Sequence, residues 1–355
     1  GSPAVSTAGA AMIGSVAAPP GASPLVAYCS ALPAAQLGDA EFRRDHRLSL
    51  AYVTGAMANG IASEALVEEI ARAGMMGHFG AAGLSIDRIA RALDRLGRTL
   101  DGATFGFDLI HSPSDPRHEM QTVELYLARR LRLVSASAFL GLTLPLVRYR
   151  VSGIHTGPDG GVVTPNRVMA KVSRVEVARA FFSPPPPAML QELVADGTIT
   201  TAQAVLAARV PVAGDLTAEA DSGGHTDNRP AMALLPAMLA LAARSTREYG
   251  YRTALRVGAA GGISTPAAAA AAFALGAAYV MTGSVNQACV ESGTSAAVRT
   301  MLGQAEQADT AMAPAADMFE LGTTVQVLKR GTMFAMRAAR LRELYRSHDD
   351  AWHDT

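Results

Sequence analysis

Lys plus Arg (31) balance Asp plus Glu (31) in a chain of 355 residues that is 49% hydrophobic. Size therefore does not limit the core, and no basic field exists to hold nucleic acid or an anionic membrane. Two cysteines, Cys29 and Cys289, exclude a disulfide framework and a cysteine zinc site, and fit a reducing cytoplasm.

Residues 1–50 have Pro, Gly and Ala in excess and read as an extended arm packed on the body of the fold. Gly1 and Ser2 in place of Met are read as a tag remnant, and nothing near them resembles a signal peptide. From Ala51 short β-type runs alternate with amphipathic helical segments, the pattern of a parallel sheet with crossover helices. Candidate strands cover 51–57, 76–81, 104–111, 132–140, 168–173, 215–221, 254–262 and 278–284. Helices are predicted over "SEALVEEIARAG", "SIDRIARALDRLGRTL", "HEMQTVELYLARRL", "TLPLVRYRV", "RVEVARAFF", "MALLPAMLALAARSTREYG" and "STPAAAAAAFALG", several with Ser or Thr before them or Gly after them. Eight strand-then-helix units favour a TIM-type (β/α)8 barrel over 51–285 rather than a doubly wound open sheet.

Two stretches interrupt the rhythm. "HTGPDGGVVTPN" (155–166) has a turn-forming centre and reads as a hairpin. "SPPPP" leads into a helical insertion over 183–214, between strands five and six. Such an insertion either shapes the substrate entrance or is inert padding. Residues 286–355, rich in Met, lack strand-type alternation and read as a helical C-terminal extension. The longest apolar tracts are broken well before the ~20 residues of a membrane span.

The chemistry concentrates where barrel strands end. Strand seven ends at Gly261 and Gly262 and strand eight at Gly283 and Ser284, so their loops are neighbours at the C-terminal rim. Glycines there let backbone amides reach an anion, and barrels commonly hold a cofactor phosphate at this place. No zinc or magnesium ligand pattern accompanies it, so a phosphorylated cofactor is expected, and flavin mononucleotide (FMN) fits. After strand one, Ala56 and Ala58 leave room for a flat ring, Met57 can cover it, and Asn59 can bond its polar edge. Lys171, ending strand five, is either a cation beside the pyrimidine side of the flavin or one half of a salt bridge between barrel layers.

After strand six, "EADSGGHTDNRP" (219–230) places Ser222, Gly223 and Gly224 against the cofactor and His225 toward the reacting centre. A histidine's ordinary pKa near ~6.5 suits it to proton transfer. Asp227 and Arg229 are expected to form a local ion pair, and Glu219 to bind a partner inside the barrel such as Lys171 or Arg256.

These motifs, with "LIHSP", "MAKVSR", "GSVNQACVESGTS", "MAPAADMFELG" and "VQVLKRGTMF", closely resemble the PfaD family. Its members are flavin-dependent, trans-acting enoyl reductases of polyunsaturated fatty acid and polyketide synthases, similar in turn to nitronate monooxygenases. The resemblance runs from about Leu32 to Tyr345. It implies noncovalent FMN reduced by NADPH, and reduction of a trans-2-enoyl thioester on an acyl carrier protein, with synthase subunits as partners and a homodimer left open. It places the ring by Ala56 to Asn59 and Ser222 to Gly224, the phosphate by Gly261, Gly262, Gly283 and Ser284, and His225 near the substrate. Where the family has Asn on strand three, this chain has Asp108, whose ionised carboxylate only accepts hydrogen bonds and disfavours an anionic reduced flavin. His78 stands where an apolar residue is expected, lining the pocket or sitting at its edge. Two other readings arise from the same residues: a nitronate monooxygenase-like oxidase, and a non-catalytic docking relative disabled by Asp108.

Overall fold

The structure, a computed structural model, describes residues 6, 9–14, 17, 19–113, 115–224, 226–316, 319–320 and 322–347. Eight parallel strands close a barrel: β1 (Tyr52–Thr54), β2 (Met76–Phe79), β3 (Phe105–Ile110), β4 (Leu133–Ser137), β5 (Arg167–Val172), β6 (Asp215–Glu219), β7 (Arg256–Ala260) and β8 (Val280–Thr282). Neighbours in sequence are neighbours in space, and β8 closes onto β1 with Val53 opposite Met281. Every predicted strand is found, the fifth shifted back by one residue and the others shortened at one or both ends.

Helix α1 (Ala40–His46) precedes the barrel. Around it run α2 (Glu64–Arg72), α3 (Ile86–Thr99), α4 (Pro116–Ala128), α5 (Leu144–Val151), α6 (Val175–Phe182), α7 (Pro187–Ala195), α8 (Thr201–Ala207), α9 (Ala231–Glu248) and α10 (Pro266–Ala274). Their starts match the sequence closely. Ser63, Ser85, Asp115, Thr143, Thr200 and Thr265 each accept a hydrogen bond from the N–H three residues on, which satisfies a donor the helix itself cannot.

The strands alternate between two apolar cores. Outward residues such as Phe79, Phe107 and Val134 meet Tyr126 and Phe181 of the helix layer, whereas Val53, Met76, Leu133, Met169 and Met281 fill the barrel floor. α1 plugs that floor: Phe42 stacks on Tyr279 at 4.3 Å, and His46 Nε2 lies 2.8 Å from Asp215. Arg256 holds Asp215 at 2.5 Å and Asp45 at 2.8 Å. Burial pulls the Asp215 carboxyl upward, but His46 and Arg256 outweigh it and hold it well below the usual range.

Three expectations change. The arm packs on the barrel only from Leu37, since the described residues before it are exposed; they have too few large apolar side chains in any one register to build a face. The insertion does form two helices, α7 and α8, but their Leu190, Leu193 and Ile199 pack on Val147, Val151 and Ile154 of α5 and the loop after it. Because it comes after α6, it hangs from the N-terminal end of the barrel and has no part in the rim. The C-terminal extension is not wholly helical. After α11 (Ser284–Gln287) and α12 (Ala296–Gly303) it forms an antiparallel hairpin, β9 (Thr310–Pro314) with β10 (Thr324–Leu328), and then α13 (Phe334–Ser347). "TVQVL" does alternate, and the long connection between its strands hides the pairing. No helix among the described residues is long and apolar enough to cross a membrane.

His78 is fully buried inside β2, away from any rim, with Gly106 of β3 making room for its ring. Neither ring nitrogen makes a well-formed hydrogen bond among the described residues, the Thr54 backbone offering only a poorly aligned one, and burial outweighs it and pushes the imidazole down to about 4. A neutral histidine whose polar atoms are so poorly met is costly. His78→Leu is expected to raise stability at pH 7 by about 1–3 kcal/mol. The unfolded chain takes up this proton first, so the wild type loses stability as pH falls from about 6.5 towards about 4. Urea unfolding across that range should show the variant free of that loss; a variant less stable than wild type at pH 7 would contradict it.

Candidate functional site

The C-terminal ends of the strands carry the polar residues singled out in the sequence, and the loops beyond them interlock. Gly261 has φ +90° and Gly262 φ +70°, a conformation open to glycine. A side chain at Gly261 would run into the backbone of Ala220 and Asp221, which fixes the β7 loop against the β6 loop. At Gly262 and Gly283 a Cβ would meet nothing within 4 Å, so both face open space. β7 and β8 are paired, Ala260 opposite Met281, and the two glycine turns therefore open side by side. The N–H groups of Gly262, Gly283 and Ser284 donate to no acceptor among the described residues, whereas the Ala260–Met281 register turns the Gly261 N–H toward the Met281 carbonyl. Such a row of free amides is what an anion requires.

The β6 loop crosses this opening. A Cβ on Gly223 would lie 3.8 Å from Ser284 Oγ, and one on Gly224 would run into the Glu219 carboxylate and lie 3.4 Å from Lys171 Nζ. Beneath it, Lys171 donates to Glu219 at 2.5 Å, with the two side chains 15% and 8% exposed. Of the two readings of Lys171, the salt bridge is the one observed, and Glu219 finds the partner expected of it. His225 lies outside the described residues. Its flanks are pinned on both sides. Gln326 of β10 donates to Asp221 at 2.6 Å, and Arg174 grips Asp227 through two bonds of 2.8 Å while Ser173 adds one of 2.9 Å. That grip holds the Asp227 carboxyl below its usual range. The expected Asp227–Arg229 pair is thus replaced by one to Arg174, just beyond β5. The chain separates these partners by more than fifty residues, and only the β5–β6 pairing unites them. A cleft of about 360 Å³ opens beside this pair, lined by Ser173, Arg174, Asp227, Arg229 and Leu234. It lies on the β5–β6 side and not over the glycine turns.

After β1, Asn59 has φ +58° and its side chain lies against Gly83, while Ala56 and Met57 are half-buried and Ala58 exposed. Gly80 sits so close to the Met57 carbonyl that no side chain fits between them. The β1 and β2 loops are therefore locked together by backbone contact. Asp108 is turned to this lock: its Oδ1 accepts from Ala81 N–H at 2.5 Å and from Ala82 N–H at 3.3 Å. Burial lifts its carboxyl to about 6, against the pull of those amides and of Lys171.

The raised value has a testable sign. The native state binds the Asp108 proton first as pH falls, so ionisation between about pH 4 and 6 lowers stability, by about 3 kcal/mol in full at pH 7. Asp108→Asn keeps an acceptor for both amides and removes the charge. It is expected to gain about 1–3 kcal/mol at pH 7 over the wild type and nothing at pH 4. Chemical unfolding at both pH values checks this; a variant less stable at pH 7 would show that the carboxylate's second oxygen is indispensable.

Sequence reasoning missed Arg174, Gln326 and the cross-strand neighbour of Gln326, Met312, whose sulfur lies 3.7 Å from Asn228 Nδ2. It also missed His111, at the end of β3, whose Nδ1 lies 3.2 Å from the buried Glu119 and whose ring stacks on Phe139 at 5.3 Å. A strand-end histidine eight residues before a carboxylate on the next helix was the available signal. Among the described residues no cluster fit to hold a metal occurs.

This chain is 46% identical over 318 residues to the polyketide biosynthesis protein PksE of Bacillus subtilis, covering 89% of this chain and 42% of that protein. It is 48% identical over 315 residues to a polyunsaturated fatty acid synthase polypeptide of Thraustochytrium sp., covering 88% of this chain and 21% of that one. The chain therefore spans less than half the length of these relatives. The enoyl reductase domain of MlnA, from the macrolactin biosynthesis cluster of Bacillus amyloliquefaciens, superposes with a TM-score of 0.85 at 39% identity, over 89% of this chain and 72% of that one. FabK from Thermotoga maritima shares the fold, with a TM-score of 0.58 at 21% identity, over 88% of this chain and 80% of that one. The nitronate monooxygenase family matches residues 47–345, from the turn after α1 to the last turns of α13, which takes in every barrel strand and the hairpin. By that match the chain is a member of the nitronate monooxygenase family, and its fold is that family's oxidoreductase barrel.

Proposed function

We propose that this chain is an FMN-dependent enoyl reductase acting in trans on trans-2-enoyl thioesters carried by an acyl carrier protein, with NADPH as hydride source. Its setting is the cytoplasm and its pathway a polyketide or polyunsaturated fatty acid synthase. The observation that supports this most is the pair of open glycine turns with unclaimed amides on neighbouring strand ends, a cradle suited to the phosphate of FMN. Likeness to the MlnA enoyl reductase domain supports the substrate class.

When bound, FMN supplies a hydride, taken from NADPH, to the β-carbon of the enoyl thioester. The chain does the rest. Gly262, Gly283 and Ser284 hold the phosphate through backbone N–H groups, and Gly261 shapes the turn. Ala56 to Asn59 and Ser222 to Gly224 line the two sides of the ring, and their small residues admit a flat group. Lys171, neutralised by Glu219, has further N–H donors for the ring's polar edge. Asp108, committed to Ala81 and Ala82, supports the wall and does not present its charge directly to the ring, which weakens the case for a disabled relative. Charge that develops on the thioester oxygen needs rim donors, and His225 gives a proton to the α-carbon.

The test is a flavin spectrum of the purified protein, anaerobic bleaching by NADPH, and reoxidation by a crotonyl thioester. All three are expected. Rapid oxygen consumption with a nitronate, and no enoyl-driven NADPH oxidation, would replace the reading with an oxidase. A colourless protein that takes up no FMN would leave a docking relative.

A further inference from the structure

In a chain whose charges cancel overall, residues 329–346 hold six cations, Lys329, Arg330, Arg337, Arg340, Arg342 and Arg346, against one carboxylate, Glu343. Arg330 is tied to Asp309 at 3.1 Å and Arg340 to Glu343 at 2.5 Å, while Arg337 and Arg346 have no carboxylate partner among the described residues. None of the residues of α13 is buried. Between the arginines, Met336 is 60% exposed, Leu341 50% and Phe334 48%, with Met333 at 52% just before the helix. Met, Phe and Arg with scarcely any acid is the composition of the centre of a protein interface and not of a solvated helix.

The place of the helix matters as much as its make-up. α13 lies on β9, and the hairpin beneath it reaches the β6 loop through Gln326 to Asp221 and Met312 to Asn228. A cleft of about 410 Å³ between Pro314 and α13 is lined by Arg342 and Arg346 together with Glu343, the carboxylate that Arg340 also holds. A partner seated there stands on the same rim as the glycine turns. A second copy of the chain is a poor occupant, because a two-fold contact through this patch would set arginine against arginine.

We propose that α13 and the cleft under it form the landing surface for an acidic carrier protein bringing its acyl thioester to the rim, an inference that rests on the function proposed above. Charge steers the encounter and the exposed Met, Phe and Leu side chains seat it. The test compares wild type with Arg337→Glu/Arg340→Glu/Arg346→Glu, using a fluorescently labelled, phosphopantetheinylated acyl carrier protein of acidic pI in anisotropy titrations. Wild type is expected to bind with an affinity that falls as salt rises, and the triple variant to bind about 10- to 10³-fold more weakly. In parallel, kcat/KM for the crotonyl carrier protein should fall by a similar factor, while that for crotonyl-N-acetylcysteamine stays unchanged. If neither thioester is reduced, the proposed activity fails and the docking surface stands or falls on the anisotropy alone. Equal carrier binding by variant and wild type, or none by wild type, overturns the docking surface. So does a wild-type dimer that the triple variant dissolves, or binding to anionic phospholipid vesicles without binding to the carrier.

Discussion

His225→Ala is expected to keep its FMN and its bleaching by NADPH, yet to lose about 10²- to 10⁴-fold in turnover of a crotonyl thioester, the usual contribution of a positioned proton donor. The case rests on what surrounds position 225. Gly223 and Gly224 bring the chain directly over the Lys171–Glu219 pair and beside Ser284. The loop is then tied down at Asp221 by Gln326 and at Asp227 by Arg174 and Ser173. The residues on either side of position 225 are thus fixed at the rim, and proton transfer calls for such fixed geometry. Single-turnover mixing separates the two half-reactions, and only the one that consumes the enoyl thioester should slow. Full activity in the variant would remove His225 from the chemistry and turn attention to other rim donors.

Lys171→Met should destabilise the protein by about 3–5 kcal/mol, because Glu219 would be left buried without its partner. Exposed ion pairs rarely exceed about 1 kcal/mol, so the size of the effect distinguishes a closed barrel interior from a wet one. Glu219 is 8% exposed and lies under Gly224, whose missing side chain lets the loop close on the pair. Lys171→Met/Glu219→Leu, which removes both charges, should recover most of the loss. Denaturant unfolding of the single and double variants gives the coupling directly. A single-variant loss below about 1 kcal/mol would show that water reaches the pair.

Position along a strand was legible where period and punctuation agreed. β3, β5 and β6 are set by short runs closed by polar or glycine residues, and the helix starts by Ser, Thr or Asp with an available N–H three residues on. The glycine turn after β7 was legible for the same reason, since Gly261 and Gly262, at φ +90° and +70°, favour glycine whatever the rest of the chain does, whereas Gly283 after β8 has an ordinary φ of −120°. His78 was visible as an oddity, but not as a fully buried one, because the four residues of β2 are all buried and give no alternation to read.

By itself the sequence determined the eight-fold strand–helix order, the small residues of the rim and the balance of charge, all of which depend on neighbours within a few residues. Only the tertiary structure decided which side chains meet. It gave Asp227 to Arg174 and not Arg229, turned Asp108 to the amides of Ala81 and Ala82, and sent the insertion to the far end of the barrel. It also folded a hairpin from the last sixty residues onto the β6 loop. The reason is geometric: a closed barrel joins residues whose separation in sequence is arbitrary, and no local pattern encodes the register at which the last element returns to the rim.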